Sequence, residues 1–112
     1  MLKSERSNGV IVCSFELTNK LNSINADTVK KEAGGHFEVP GTRLIMDLGN
    51  ISFIDSSGFG ALLSLMKSAR TNSGMLRICN ITPGIIKVFR LLQLDRVFEI
   101  YDSREECLKS FA

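Results

Sequence analysis

Apolar positions follow two rhythms along this chain. Val10-Ile11-Val12-Cys13-Ser14-Phe15, Leu44-Ile45-Met46-Asp47-Leu48 and Met75-Leu76-Arg77-Ile78-Cys79 are short, nearly continuous apolar runs. Runs of this length and β-branched or aromatic content predict strands, and the run at 44–48 reads as a strand covered on both faces. Val97-Phe98-Glu99-Ile100-Tyr101 alternates and predicts a last strand. Around Gly60 the period lengthens. Phe59, Leu62, Leu63, Met66 and Ala69 or Arg70 recur at i, i+3, i+4 and i+7, one stripe of a helix, so Leu62, Leu63 and Met66 are expected to face the core while Leu65 lies off the stripe. Ile85, Ile86, Val88, Phe89, Leu91 and Leu92 give a broader helical face behind Thr82-Pro83, a cap residue with proline at the first helical position. A final helix opens on Asp102-Ser103-Arg104-Glu105-Glu106, with a cap and an acidic first turn, and Leu108 and Phe111 are available to dock it.

Turn residues divide these elements. Leu2 to Arg6 is a thin strand candidate, and Ser7-Asn8-Gly9 is a hairpin turn leading into the strand at 10–15. Glu16 to Ser23 is a polar connection in which Asn19 and Asn22 can take a left-handed conformation. Asn25 or Asp27 can cap a helix through Thr28–Ala33, whose stripe is Ala26, Val29, Ala33 and then Phe37. Gly34-Gly35 costs a continuous helix roughly 2 kcal/mol, so a short or frayed helix is expected, with His36 in a solvated loop. Pro40-Gly41 reads as a turn and Gly74 as a helix terminus. After the opening hairpin, strands alternate with helices, which predicts an α/β domain with a mainly parallel sheet.

Composition narrows the classes. A chain of 112 residues makes one domain, residues 1–112, and should bury about 65% of its unfolded surface. Hydrophobic residues at 44% and charged residues at 23% exclude a disordered chain. A net charge of +2 does not by itself indicate nucleic acid, and Lys87 with Arg90 on one helix face is too small a basic patch for it, with no stacking array beside it. No apolar run approaches the roughly 18 residues of a membrane span, and Met1 to Arg6 lacks a signal-peptide core, so a cytoplasmic location is expected. Cys13, Cys79 and Cys107 are odd in number and widely spaced. Cys13 and Cys79 fall in strand-like runs and read as buried, reduced thiols, without a zinc site or a disulfide framework.

The chemistry of the chain concentrates at Asp55-Ser56-Ser57, where the strand-like segment Ile51–Ile54 meets the helix. These are favoured N-cap residues, and capping alone explains them. Unpaired N–H groups and the positive end of the helix dipole also suit a phosphate there. A nucleotide loop fits poorly, because Gly58-Phe59-Gly60 is followed neither by Gly-Lys-Ser/Thr nor by the third glycine of a dinucleotide fingerprint. A nucleophile elbow would need glycine at Ile54, and His36 has no acidic residue spaced to orient it. Serine catalysis is therefore not expected, and neither a cofactor nor a metal is implied.

Leu44-Ile45-Met46-Asp47-Leu48 followed by Ile51-Ser52-Phe53-Ile54-Asp55-Ser56-Ser57-Gly58-Phe59-Gly60-Ala61-Leu62 resembles the signature of STAS domains, the family named for sulfate transporters and anti-sigma factor antagonists. By size and element order the resemblance covers the whole chain, although only this segment is specific. It implies a small mixed, mainly parallel sheet with an N-terminal β-hairpin and about four helices packed on it. In the bacterial antagonists the second serine of Asp-Ser-Ser-Gly is phosphorylated, which here is Ser57. The resemblance thus implies a non-enzymatic anti-sigma factor antagonist that binds, unphosphorylated, an anti-sigma factor with serine kinase activity. Phosphorylation of Ser57 would end that contact, and a PP2C-type phosphatase would restore it. On this reading Asp55 and Phe59 shape the partner site, Ser56 caps the helix, and Gly58 lets the partner's backbone approach closely. The alternative within the family is a scaffold or transporter-associated subunit that acts by protein–protein assembly.

Overall fold

A computed structural model describes residues 1–112. Strand β1 (Leu2–Ser7) turns at Asn8-Gly9 into β2 (Val10–Phe15). Both turn residues have positive φ, 51° and 79°, as a tight hairpin with right-twisted strands requires. There follow β3 (Lys20–Leu21), α1 (Ala26–His36), β4 (Arg43–Asp47), β5 (Phe53–Ile54) and α2 (Ser56–Thr71). The chain finishes with β6 (Met75–Cys79), α3 (Pro83–Leu91), a 3-10 helix (Leu94–Arg96), β7 (Glu99–Tyr101) and α4 (Arg104–Lys109).

The main sheet has the order β1-β2-β4-β6-β7, antiparallel only in the opening hairpin, while β3 and β5 pair in parallel as a separate two-stranded sheet. The mixed α/β arrangement and its four helices agree with the expected architecture. Alternate residues of the central strands face two different cores. Ile11, Cys13, Phe15, Leu44, Met46, Leu76 and Ile78 join α1, α2 and α3 in a core of 21 buried residues. Val10, Val12, Ile45 and Cys79 face the other way, where Cys107 of α4 completes a cluster of five flanked by Tyr101, Leu108 and Phe111. This explains the unbroken apolar run in β4, since both of its faces are covered.

Several local expectations are corrected. Helix α1 runs through Gly34-Gly35 to His36, because Val29 and Ala33 are buried and Gly34 lies close enough to Leu65 that a Cβ would touch its Cδ2 at 3.6 Å. Packing against α2 outweighs the propensity cost of the two glycines. His36 is accordingly a half-buried helix terminus, its Nε2 3.4 Å from Ser4 Oγ. Helix α2 is turned about its axis from the expected face. It buries Gly58, Ala61, Leu62, Leu65 and Ala69, leaves Phe59 and Met66 half-buried, and exposes Leu63. In the 16–23 connection the left-handed residue is the fully exposed Leu17, at φ 62°, and neither Asn19 nor Asn22 takes that conformation. Neither Thr82 nor Asn25 caps with its side chain: Thr82 Oγ1 donates to Ile51 O at 3.3 Å and Asn25 Oδ1 accepts from Ser23's neighbour Asn22 N at 3.0 Å. The last strand starts at Glu99 rather than Val97, because the N–H groups of Val97 and Phe98 both turn back to Leu94 O behind the 3-10 helix.

Candidate functional site

The small β3–β5 sheet aims the chain into α2. Leu21 pairs with Ile54, Asp55 N–H donates to Leu21 O at 3.2 Å, and the helix begins at the next residue. Asp55 is the N-cap. Its backbone is extended (φ −97°, ψ −176°), and its Oδ1 accepts from Gly58 N–H at 2.9 Å. Its other oxygen, Oδ2, accepts from Ser23 N–H at 3.1 Å, so one carboxylate joins the loop before α1 to the start of α2. The capping role expected of Ser56 therefore belongs to Asp55, which reaches the third helical residue as cap side chains do.

Ser56 and Ser57 are both exposed in the first turn. Their N–H groups have no acceptor within the helix, and the positive end of the helix dipole lies beside them. Gly58, between these serines and Phe59, is buried, and the room it leaves is used internally. A Cβ there would overlap the carbonyl oxygen of Leu21 and lie 2.7 Å from Ile54 Cγ2. Glycine is needed so that α2 can seat on β3 and β5, and a partner's backbone has no access to that space. Phe59 is half-buried and meets Phe89 of α3 edge to face, with centroids 5.4 Å apart. The structure thus brings Asp55, Ser56 and Ser57 to one surface, with Gly58 and Phe59 supporting them from below.

No base accompanies the serines. His36, the only histidine, lies against Ser4, and its carbonyl accepts from Thr42 Oγ1 at 3.0 Å just before β4 begins. No group of His, Cys, Asp or Glu side chains gathers as a metal site, and no helix is long and apolar enough to cross a membrane. The three cysteines are buried and unpaired by disulfides, including Cys107, whose spacing gave no sign of burial. Burial pushes the Cys13 thiol above its ordinary range. A hydrogen bond with Cys107 and burial raise Cys79 as well.

A second polar cluster escaped the sequence reading. Asp47, at the end of β4, is buried, and its Oδ1 accepts from Gly49 N–H at 2.9 Å. Asn80 Nδ2 donates to both of its oxygens, at 3.2 and 3.1 Å, and Arg104 Nε donates to Oδ2 at 3.0 Å. Arg104 also reaches Glu5 at 3.2 Å. These partners lie 33 and 57 residues from Asp47, so no local motif announces them. The only signal in the chain is a lone acidic residue inside an otherwise apolar strand.

A parallel-dominated sheet with an opening hairpin, and a capped Ser-Ser pair where a strand meets a helix, define the class. The STAS domain model matches residues 2–107, and the chain belongs to that family. The Bordetella bronchiseptica protein BtrV, whose name proposes an anti-sigma factor antagonist, is 26% identical over 110 residues, covering 98% of this chain and 93% of its own. An anti-sigma-factor antagonist (STAS) domain protein from Planctomyces limnophilus superposes with a TM-score of 0.88 at 20% identity, covering 97% of this chain and 96% of its own. SpoIIAA, the Bacillus cell fate determinant, has been solved in its phosphorylated form. It superposes with a TM-score of 0.72 at 21% identity and full coverage of both chains.

Proposed function

We propose that this STAS domain is an anti-sigma factor antagonist, that its partner is an anti-sigma factor with serine kinase activity, and that phosphorylation of Ser57 switches the contact off. The observation that carries the reading is the exposed Ser57 in the first turn of α2, behind a cap that Asp55 provides without help from either serine. The names of BtrV and of the Planctomyces limnophilus protein support the antagonist role, and SpoIIAA, described in a phosphorylated form, supports the switch.

Physically the switch needs little rearrangement. A phosphate adds about −1.5 to −2 charges and three acceptor oxygens. The unpaired N–H groups of the first turn and the helix dipole offset part of that charge within the domain. A partner seated over Ser57 must instead desolvate the phosphate or face its charge, so binding fails while the fold persists. The domain supplies the acceptor hydroxyl and the surface; the kinase and a PP2C-type phosphatase supply the chemistry. Such a protein works in the cytoplasm, where sigma factors act.

The test is incubation with the kinase and ATP, mass spectrometry to place the phosphate, and titration calorimetry of both forms. One phosphate at Ser57 and a loss of affinity on the order of a hundredfold are expected. Phosphate on Ser56 would refute the site, and equal affinity of the two forms would favour a scaffold that acts by assembly alone.

A further inference from the structure

Charge is distributed unevenly along the chain. Between Ser56 and Phe98 there are six cations, Lys67, Arg70, Arg77, Lys87, Arg90 and Arg96, against one anion, Asp95, in a protein whose net charge is only +2. The remainder is therefore net acidic. Arg77 is engaged by Glu99 at 2.8 Å and by the ring of Phe111 at 4.1 Å. The other five cations are exposed and take part in none of the ion pairs of the molecule.

These five share one side of the sheet with exposed apolar residues. The outer stripe of α2 starts at Ser56 and continues through Gly60, Leu63, Lys67 and Arg70. On α3, Lys87, Arg90 and Leu91 are exposed one turn apart, with Leu92 directly after them. Leu63 is 41% exposed, Leu91 81% and Leu92 53%. Both helices cover the larger core, and Phe59 of α2 touches Phe89 of α3. Beyond Arg70, Met66, Ala69, Met75, Leu76 and Val97 line a groove of about 220 Å3 whose rim also holds Glu99, its charge offset by Arg77.

We infer that the outer face of α2 and α3 docks an acidic amphipathic helix of a protein partner, with its apolar side on Leu63, Leu91, Leu92 and the Met66–Val97 groove and its carboxylates among Lys67, Arg70, Lys87, Arg90 and Arg96. A groove between packed elements receives the convex side of a helix, and unpaired cations around it select acidic flanks. Nucleic acid is disfavoured because the face offers no free aromatic ring, Phe59 being packed on Phe89. A membrane surface is disfavoured because no aromatic anchor projects from it. The inference deepens the partner contact proposed above by giving the partner's chemistry. It also makes the phosphate more effective, because Ser57 is exposed beside Ser56, where that stripe begins, and a phosphate there would confront acidic flanks.

The experiment needs no kinase, so failure of the switch and failure of the docking face are read separately. The 15N-labelled protein is titrated with a synthetic helical peptide of Leu on one side and Glu on the other, with the same peptide carrying Lys for Glu, and with phosphatidylglycerol vesicles. Amide shifts confined to residues 60–76 and 87–99 are expected with the acidic peptide, weakening as salt is raised. The double variant Lys67→Glu/Arg70→Glu should bind it at least about tenfold more weakly while keeping the wild-type spectrum elsewhere, and Lys87→Glu/Arg90→Glu should behave alike. Shifts centred outside this face, equal binding of the Lys peptide, or no shift at millimolar peptide would overturn the inference. Binding to the vesicles alone would also overturn it, in favour of a membrane surface.

Discussion

Two aspartates stand at the ends of neighbouring segments of this domain and do different work. Asp47 ends β4 and is buried, with Gly49, Asn80 and Arg104 all directed at it. Asp55 follows β5 and bonds only main-chain N–H groups, those of Gly58 and Ser23, with two exposed serines beside it. The first carboxylate ties together β4, the loop after β6 and α4, elements distant in sequence. The second organises one turn and leaves that turn open to solvent. A carboxylate whose hydrogen-bonding capacity is filled from inside serves stability, whereas one that merely shapes an exposed helix start permits an exchange of partners. The contrast predicts which of the two sites tolerates change.

The largest effect is expected at Asp47. Asp47→Ala removes the acceptor for Asn80 and Arg104 and leaves Gly49 N–H unpaired. Such a loss costs about 3 to 5 kcal/mol in a buried pair, and about 3 here because Arg104 remains partly exposed and can turn to Glu5. Urea unfolding measures it, and a cost no greater than that of Asp55→Ala would erase the contrast. Gly58→Ala comes next. Its Cβ would meet a backbone carbonyl that cannot rotate away, so a loss of about 1–3 kcal/mol is expected, with shifted amide resonances at Leu21 and Ile54. Asp55→Ala should cost about 1 kcal/mol, typical of an N-cap. Hydrogen exchange should quicken at Gly58 and Ser23 together, because one side chain holds both. Quickening at Gly58 alone would show that the tether to the α1 loop is not energetically significant.

The difference between the two aspartates also explains what could be read from the sequence. The junction at Asp55 was legible because its chemistry is local: cap residues, glycine and a change of period sit within six positions. The strands at 10–15, 44–48 and 75–79 were legible because both faces of the sheet are buried and their apolar runs are nearly unbroken. The Asp47 network was not, since its partners come together only when β4, β6 and α4 are assembled. The same limit misplaced the buried face of α2. Periodicity favoured the large residues Phe59, Leu63 and Met66, whereas the helix turns Gly58 and Ala61 toward the small sheet and buries Leu65 near Gly34 of α1. Close approach of elements rewards small side chains, and a hydrophobic pattern cannot register the absence of a side chain.

The smallest effect carries the most weight for function. Ser57 is exposed, its hydroxyl makes no hydrogen bond within the domain, and the cap it adjoins is complete without it. Ser57→Ala should therefore change stability by less than about 0.5 kcal/mol, as surface substitutions away from caps and cores do. Alanine is also a better helix former than serine, which works against any loss. Ser57→Asp should be equally tolerated, since an acidic side chain in the first turn meets the favourable end of the dipole. Partner binding should separate the two variants: the alanine form binds as wild type and cannot be modified, while the aspartate form binds more weakly, though less so than the phosphoprotein with its larger charge. Chemical unfolding of both variants beside calorimetric titration with the kinase tests this. A Ser57→Ala variant that unfolds more readily than Asp55→Ala would make the serine a structural residue and reverse the contrast between the two aspartates.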